Sequence, residues 1–114
     1  MINKLIYIAG PFRGPNSWEM EQNIRRAEEV SLEVWKLGAP AICPHCNNRF
    51  FQGVCPEETW AAGDLLILER CDAIFMGPKW DRSEGARKEM VHAIMKGLPV
   101  FFTIEALKEW LENA

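Results

Sequence analysis

No apolar stretch of this 114-residue sequence approaches the ~20 residues of a membrane-spanning helix, so no membrane is expected among its partners. Positive charge is also scarce. Thirteen Lys and Arg stand against sixteen Asp and Glu, interspersed and without a long basic run, for a net charge of -3. That balance argues against binding a nucleic acid polymer through its phosphates. There is no internal repeat and no low-complexity segment. Neither the glycine fingerprint of dinucleotide-binding folds nor a P-loop is present. The opening residues 1–9 are too short for a secretory signal, so the expected location is cytoplasmic. What is present is ordinary globular material, 48% hydrophobic and 25% charged. The length suits a single domain over residues 1–114 with a thin core.

Cysteine is limited to Cys43, Cys46, Cys55 and Cys71. Without a secretory signal, disulfides have no support. Cys43-Pro44-His45-Cys46 has CxxC spacing, and Cys55 follows nine residues later. A zinc site from Cys43, His45, Cys46 and Cys55 and a redox pair are both compatible with this spacing. No second CxxC pair exists, so reduced thiols with no metal are the favoured reading.

The remaining pattern alternates strands with helices. Residues 4–9 form a short apolar run suited to a buried parallel strand. A glycine- and proline-rich loop follows. Asn16 then stands as an N-cap with Glu19 at the capping-box position. Met20, Ile24, Ala27, Val30, Val34 and Leu37 recur at helical spacing up to Gly38. Residues 39–43 are a second strand, weakened by Pro40, and residues 44–56 a loop. Residues 57–71 are a helix, 72–76 a strand, 77–82 a loop and 84–96 a helix. Residues 98–102 are the last strand and 104–112 a final amphipathic helix. This order predicts an α/β fold, a flavodoxin- or Rossmann-like three-layer sandwich with a four- to five-stranded parallel sheet. Ligands of such sheets bind beyond the carboxyl ends of the strands, which here means loops 10–16, 44–56 and 77–83.

Several residues carry candidate chemistry. Asp64 falls in the middle of the apolar arc Trp60, Ala61, Leu65, Ile67 and Leu68 of its helix. A carboxylate there either caps a nearby backbone loop or faces a cleft and binds a polar substrate. Glu89 lies one position off the arc of Ala86, Met90, Ala93 and Ile94. Its side chain leans over Gly85, which leaves room for a ligand. Taken alone, a solvated helix glutamate is the commoner outcome. Ser83 suits the N-cap of the same helix, whose start can hold an anion. Gly10, Phe12, Arg13 and Gly14 follow the first strand, where glycines and an arginine form either a phosphate cradle or a plain turn. Tyr7, the sole tyrosine, is core material by default. His45 precedes Asn47 and Asn48 in the second loop, where it either contacts a base or has a structural or solvated role. His92 belongs to a polar helix face. The methionines and tryptophans are mostly core, with Trp80 placed to line a pocket.

Together, residues 7–14, Gly63-Asp64-Leu65, Cys71-Asp72-Ala73 and residues 83–89 resemble the nucleoside 2-deoxyribosyltransferase superfamily, and within it the small DUF4406 branch. The similarity extends over nearly the whole chain. It implies a flavodoxin-like fold and cleavage of the bond between a base and 2-deoxyribose. It also implies Glu89 as nucleophile, Asp64 as sugar-binding carboxylate and Tyr7 as the group that orients Glu89. In the branch that hydrolyses deoxynucleoside monophosphates, the counterparts of Gly10, Arg13, Gly14 and Ser83 hold the 5′-phosphate. The transferases carry an aspartate where Ser83 stands, which points to hydrolysis over base exchange. The implied partner is a small-molecule deoxynucleoside or deoxynucleotide, with no cofactor and no metal. Relatives complete their sites with neighbouring subunits, so a homo-oligomer, dimer or larger, is expected. The rival readings are a base-exchanging transferase, a nucleotide-binding module without turnover and a zinc-stabilised interaction domain.

Overall fold

The computed structural model describes residues 1–51 and 53–113. Among these are four strands and five α-helices, alternating except that α2 and α3 follow one another. They are β1 (Ile6–Ala9), α1 (Ser17–Lys36), β2 (Ala41–Ile42), α2 (Pro44–Asn47), α3 (Glu57–Glu69), β3 (Ala73–Met76), α4 (Glu84–Met95), β4 (Val100–Phe101) and α5 (Ile104–Glu112). The strands form one parallel sheet in the order β2-β1-β3-β4. The expected α/β architecture is therefore present, with four strands. No described helix is long and apolar enough to cross a membrane.

Strand pleat decides which side chain goes where. In β1, Ile6 and Ile8 enter the core layer beneath α1 and α5, where Ala27, Val34, Leu107 and Leu111 meet them. Tyr7 and Ala9 point to the opposite face and join Leu68, Ala86 and Ala93 of α3 and α4. In β3, Phe75 joins the first layer, and Ile74 and Met76 the second. Burying each large apolar side chain contributes about 1.5–3 kcal/mol, so both faces fix the register of β1. A further clamp comes from Asp72, which accepts the Leu5 backbone N–H at 2.7 Å while its own N–H donates to the Leu5 carbonyl at 2.8 Å.

The helix starts follow the expected caps. Asn16 accepts the Glu19 N–H at 2.9 Å, and Ser83 accepts the Ala86 N–H at 3.1 Å. Several boundaries differ from the pattern reading. Strands β2 and β4 keep only two paired residues each, because Pro40 and Pro99 cannot donate to a ladder. Helix α3 stops at Glu69, two residues early, and leaves Arg70 as its cap. The 44–56 segment is not all loop, since Pro44 starts the short helix α2 at a position where its missing N–H costs nothing. Gln52 of that segment lies outside the described residues.

The expectation that methionine and tryptophan are mostly core is wrong. Among the methionines only Met76 is fully buried, and Trp18 and Trp35 are exposed on α1. Apolar spacing on a 20-residue helix places such residues beside the buried stripe, where two short sheet layers cannot reach them.

Candidate active site

A cleft of about 190 Å³ opens at the carboxyl ends of β1 and β3, on the α3/α4 side. The strand order reverses there, between β1 and β3. Its lining includes Gly10, His45, Asp64, Ser83, Gly85 and Glu89. Beneath it, the buried Tyr7 hydroxyl donates a short hydrogen bond to Glu89 Oε2. The pleat of β1 and the helical turn of α4 thus bring together residues 82 positions apart.

The electrostatics of this group are unusual for a surface helix. Burial, and then the neighbouring Asp64 carboxylate, push the Glu89 carboxyl up to about 7, while the Tyr7 hydrogen bond opposes that rise. Asp64 is raised by burial to about 6. Tyr7 is held far above its ordinary range by burial and by the two carboxylates, so it remains a hydroxyl donor. Two carboxyl groups therefore titrate near neutrality within one cleft, an arrangement suited to acid, base or nucleophilic work. Asp64 lines the cleft, and burial alone accounts for its raised value.

Gly85 keeps the approach to Glu89 clear. A Cβ there would meet only Ser83 Oγ, at 3.9 Å. Gly14 serves the loop instead, since a Cβ at that position would lie 2.7 Å from the Glu19 Cβ. Asn23 holds this loop by donating to the Phe12 and Arg13 carbonyls, both at 3.1 Å. Phe12 packs on the His45 ring with centroids 5.3 Å apart. Burial lowers His45 to about 4, so its imidazole is neutral, and its Nδ1 is buried without a partner among the described residues.

Three candidates lie elsewhere. The exposed Arg13 guanidinium pairs with Glu57, outside the cleft lining. Asn47 lines a separate groove beside Cys43 and Cys46. Trp80 packs on Phe102 in a larger groove of about 800 Å³ between α1, residues 77–81 and the start of α5. That groove is bigger, yet the hydroxyl–carboxylate pair lies in the smaller cleft. His92, expected on a polar face, is half-buried and meets Glu69 at 3.1 Å. Among the described residues no group of three or more His, Cys, Asp or Glu side chains converges as metal ligands, and Cys55 does not join Cys43 and Cys46.

Pattern reasoning missed Asn23, Leu65 and Lys88. Asn23 stands next to Ile24 on the buried side of α1, and a polar residue at that position was the available signal. Leu65 and Lys88 border the cleft because α3 and α4 pack together, which periodicity within one helix does not reveal.

A parallel α/β sheet with a paired-carboxylate cleft at its switch point defines the class. The chain belongs to the DUF4406 family, whose model, described as a domain of unknown function, matches residues 4–102. Among solved structures it is similar to a 2-deoxyribosyltransferase from the psychrotolerant bacterium Bacillus psychrosaccharolyticus, with a TM-score of 0.64. The identity is 22%, over 84% of this chain and 69% of that one. The two share a fold. No curated protein sequence matches the chain.

Proposed function

We propose that the chain is an enzyme that cleaves the N-glycosidic bond of a 2′-deoxynucleoside 5′-monophosphate and releases the free base. The observation that carries this reading is the Tyr7–Glu89 hydrogen bond beside Asp64, in a cleft that Gly85 keeps open. The named activity of the structural neighbour, deoxyribosyl transfer, gives it further support.

The chemistry follows the retaining pattern of paired carboxylates. The Glu89 carboxylate attacks C1′, and the C1′–N bond breaks with its electrons going to the base. Tyr7 holds Glu89 in place and stabilises its ionised form. Asp64, whose raised pKa leaves it partly protonated near neutrality, binds the sugar hydroxyl and supplies a proton to the leaving base. Water, giving its proton back to the Asp64 carboxylate, then attacks C1′ of the deoxyribosyl-Glu89 ester, and the C1′–O bond to Glu89 breaks and restores the carboxylate. No metal or organic cofactor enters this route.

The cleft is smaller than the ~300–1,000 Å³ of typical ligand sites, so it takes a sugar-sized part of the substrate and the rest lies across its rim. Leu66, Val91, Ile94 and Met95 leave an exposed apolar patch on α3 and α4. A second copy of the chain covering these side chains would form the proposed homo-oligomer.

The 5′-phosphate assignment rests on Arg13 and on Ser83 at the start of α4. The exposed Arg13–Glu57 pair is worth only ~0–1 kcal/mol, so a phosphate competes for that guanidinium with little penalty. If Glu57 keeps Arg13, the substrate is the unphosphorylated nucleoside and base exchange becomes the better reading. The test is incubation with a panel of deoxynucleosides and their monophosphates, with chromatography for free base and for exchanged nucleoside. Release from monophosphates, abolished by Glu89→Ala, is the expected result. Absence of both release and exchange across the panel overturns the enzymatic assignment.

A further inference from the structure

Cys43 and Cys46 take no part in the chemistry proposed above, yet their sulfur atoms lie 3.4 Å apart, with the Cys46 thiol donating to Cys43 Sγ. The geometry comes from α2. Cys43 is its N-cap, Pro44 starts the first turn, and the Cys46 N–H donates to the Cys43 carbonyl at 3.1 Å. That single turn places both side chains on the same side, within a small rotation of bonding distance. The pair borders an open groove of about 450 Å³, together with Trp35 and Asn47. Cys46 is exposed there and Cys43 is buried. His45, between them in sequence, points the other way into the Glu89 cleft.

We propose that Cys43 and Cys46 form a reversible oxidation site that closes to a disulfide by exchange with a small disulfide of the glutathione type. The accessible Cys46 thiolate attacks one sulfur of the small disulfide, forms a mixed disulfide and expels one thiolate. Cys43 then attacks Cys46 Sγ and expels the second. Two electrons and two protons pass from the cysteines to the small disulfide, which leaves as two thiols. Burial and the neighbouring Cys46 push the Cys43 thiol up to about 12, and burial also raises Cys46. Little thiolate exists at neutral pH, so exchange is slow, as suits a switch more than an oxidoreductase. Closure tightens the only turn of α2 and so displaces the His45 ring that it carries into the cleft. The inference does not depend on which reaction the cleft performs.

The test uses the full chain carrying Cys55→Ser, which removes the other exposed thiol. The protein is equilibrated with mixtures of reduced and oxidised glutathione, quenched in acid, alkylated under denaturing conditions and weighed intact. Three alkylated thiols under reducing conditions should become one under oxidising conditions, with an internal disulfide in the peptide containing residues 43–46. Adding Cys43→Ser should arrest the reaction at a glutathione adduct on Cys46, and adding Cys46→Ser should abolish it. Three free thiols under all conditions, or a glutathione adduct that never resolves in the presence of Cys43, overturns the proposal. The His45 Cε1–H resonance should move on oxidation of the Cys55→Ser protein and stay fixed once Cys46→Ser is added. An unmoved resonance overturns the link to the cleft.

Discussion

Replacing Glu89 with glutamine should make the protein more stable at neutral pH while removing its proposed activity. In the folded chain the Glu89 carboxyl is raised from 4.5 to about 7. Between these values the folded state holds this proton more often than the unfolded state, so the stability that Glu89 contributes is fully present below pH 4.5 and is lost as pH rises through 7. At ~1.4 kcal/mol per pH unit, the decline amounts to roughly 3 kcal/mol once Glu89 is fully ionised. Glutamine resembles the protonated acid in shape and still accepts the Tyr7 hydroxyl, so Glu89→Gln escapes this loss. Wild type and variant should therefore melt together near pH 4. At pH 8 the variant should melt higher by about 12 °C, taking ~4 °C per kcal/mol for a domain of this size. Comparing the two proteins at each pH cancels the other titrating groups. Circular dichroism melts at pH 4, 5, 6, 7 and 8 measure the effect. A difference in melting temperature that does not change with pH, or a variant less stable than wild type at pH 8, would refute the account of a buried carboxylate held ionised against its surroundings.

Tyr7→Phe removes the group that favours ionised Glu89, so the acid limb of the pH–rate profile for base release should move upward by roughly one pH unit or more, given ~1.5–3 kcal/mol for a hydrogen bond to a charged group; an unmoved limb argues against the orienting role. Asp64→Asn should lower base release by at least tenfold while the melting temperature at pH 7.5 holds or rises, since burial alone raises this carboxyl to about 6; a lower melting temperature with intact activity would make Asp64 structural. Arg13→Ala should erase most of the preference for a monophosphate over its nucleoside, read as the ratio of kcat/KM values, and leave nucleoside cleavage within a few-fold of wild type. Asp72→Ala should destabilise the fold by about 1 kcal/mol through loss of its bond to the Leu5 N–H, with urea melts as the measure and no change in substrate preference.

Where a function depended on one element, the sequence revealed it. Asn16 and Ser83 are N-caps because a short polar side chain preceding an apolar-periodic segment has few other uses, and both cap in the structure. Glu89 and Gly85, four residues apart on α4, both line the cleft, as helical spacing on one face predicts. Where a function depended on two elements, the pattern said less. Tyr7 is indistinguishable from core material in β1, because the partner that gives its hydroxyl a purpose lies on α4. For Arg13 the pattern gave the loop but not the neighbour. Its loop suits an anion, but Glu57 at the start of α3 supplies a competing one from a distant part of the chain. Trp80 and Asn47 belong to connections at the correct end of the sheet and still face other grooves, since membership of a connection does not specify direction.

The pairing of Tyr7 with a core strand has a consequence for motion. β1 is one of the two central strands, flanked by β2 and β3 and buried on both faces. Its amides should exchange with solvent only when the whole domain opens, whereas residues 10–16 and 44–51, with few regular backbone bonds, should exchange through local opening. The cleft thus has a floor whose lifetime is that of the fold and a rim that rearranges far more often. On the proposed reading, Tyr7 beneath Glu89 should hold its position for the life of the fold, while the segment that carries His45 to the cleft should open more often.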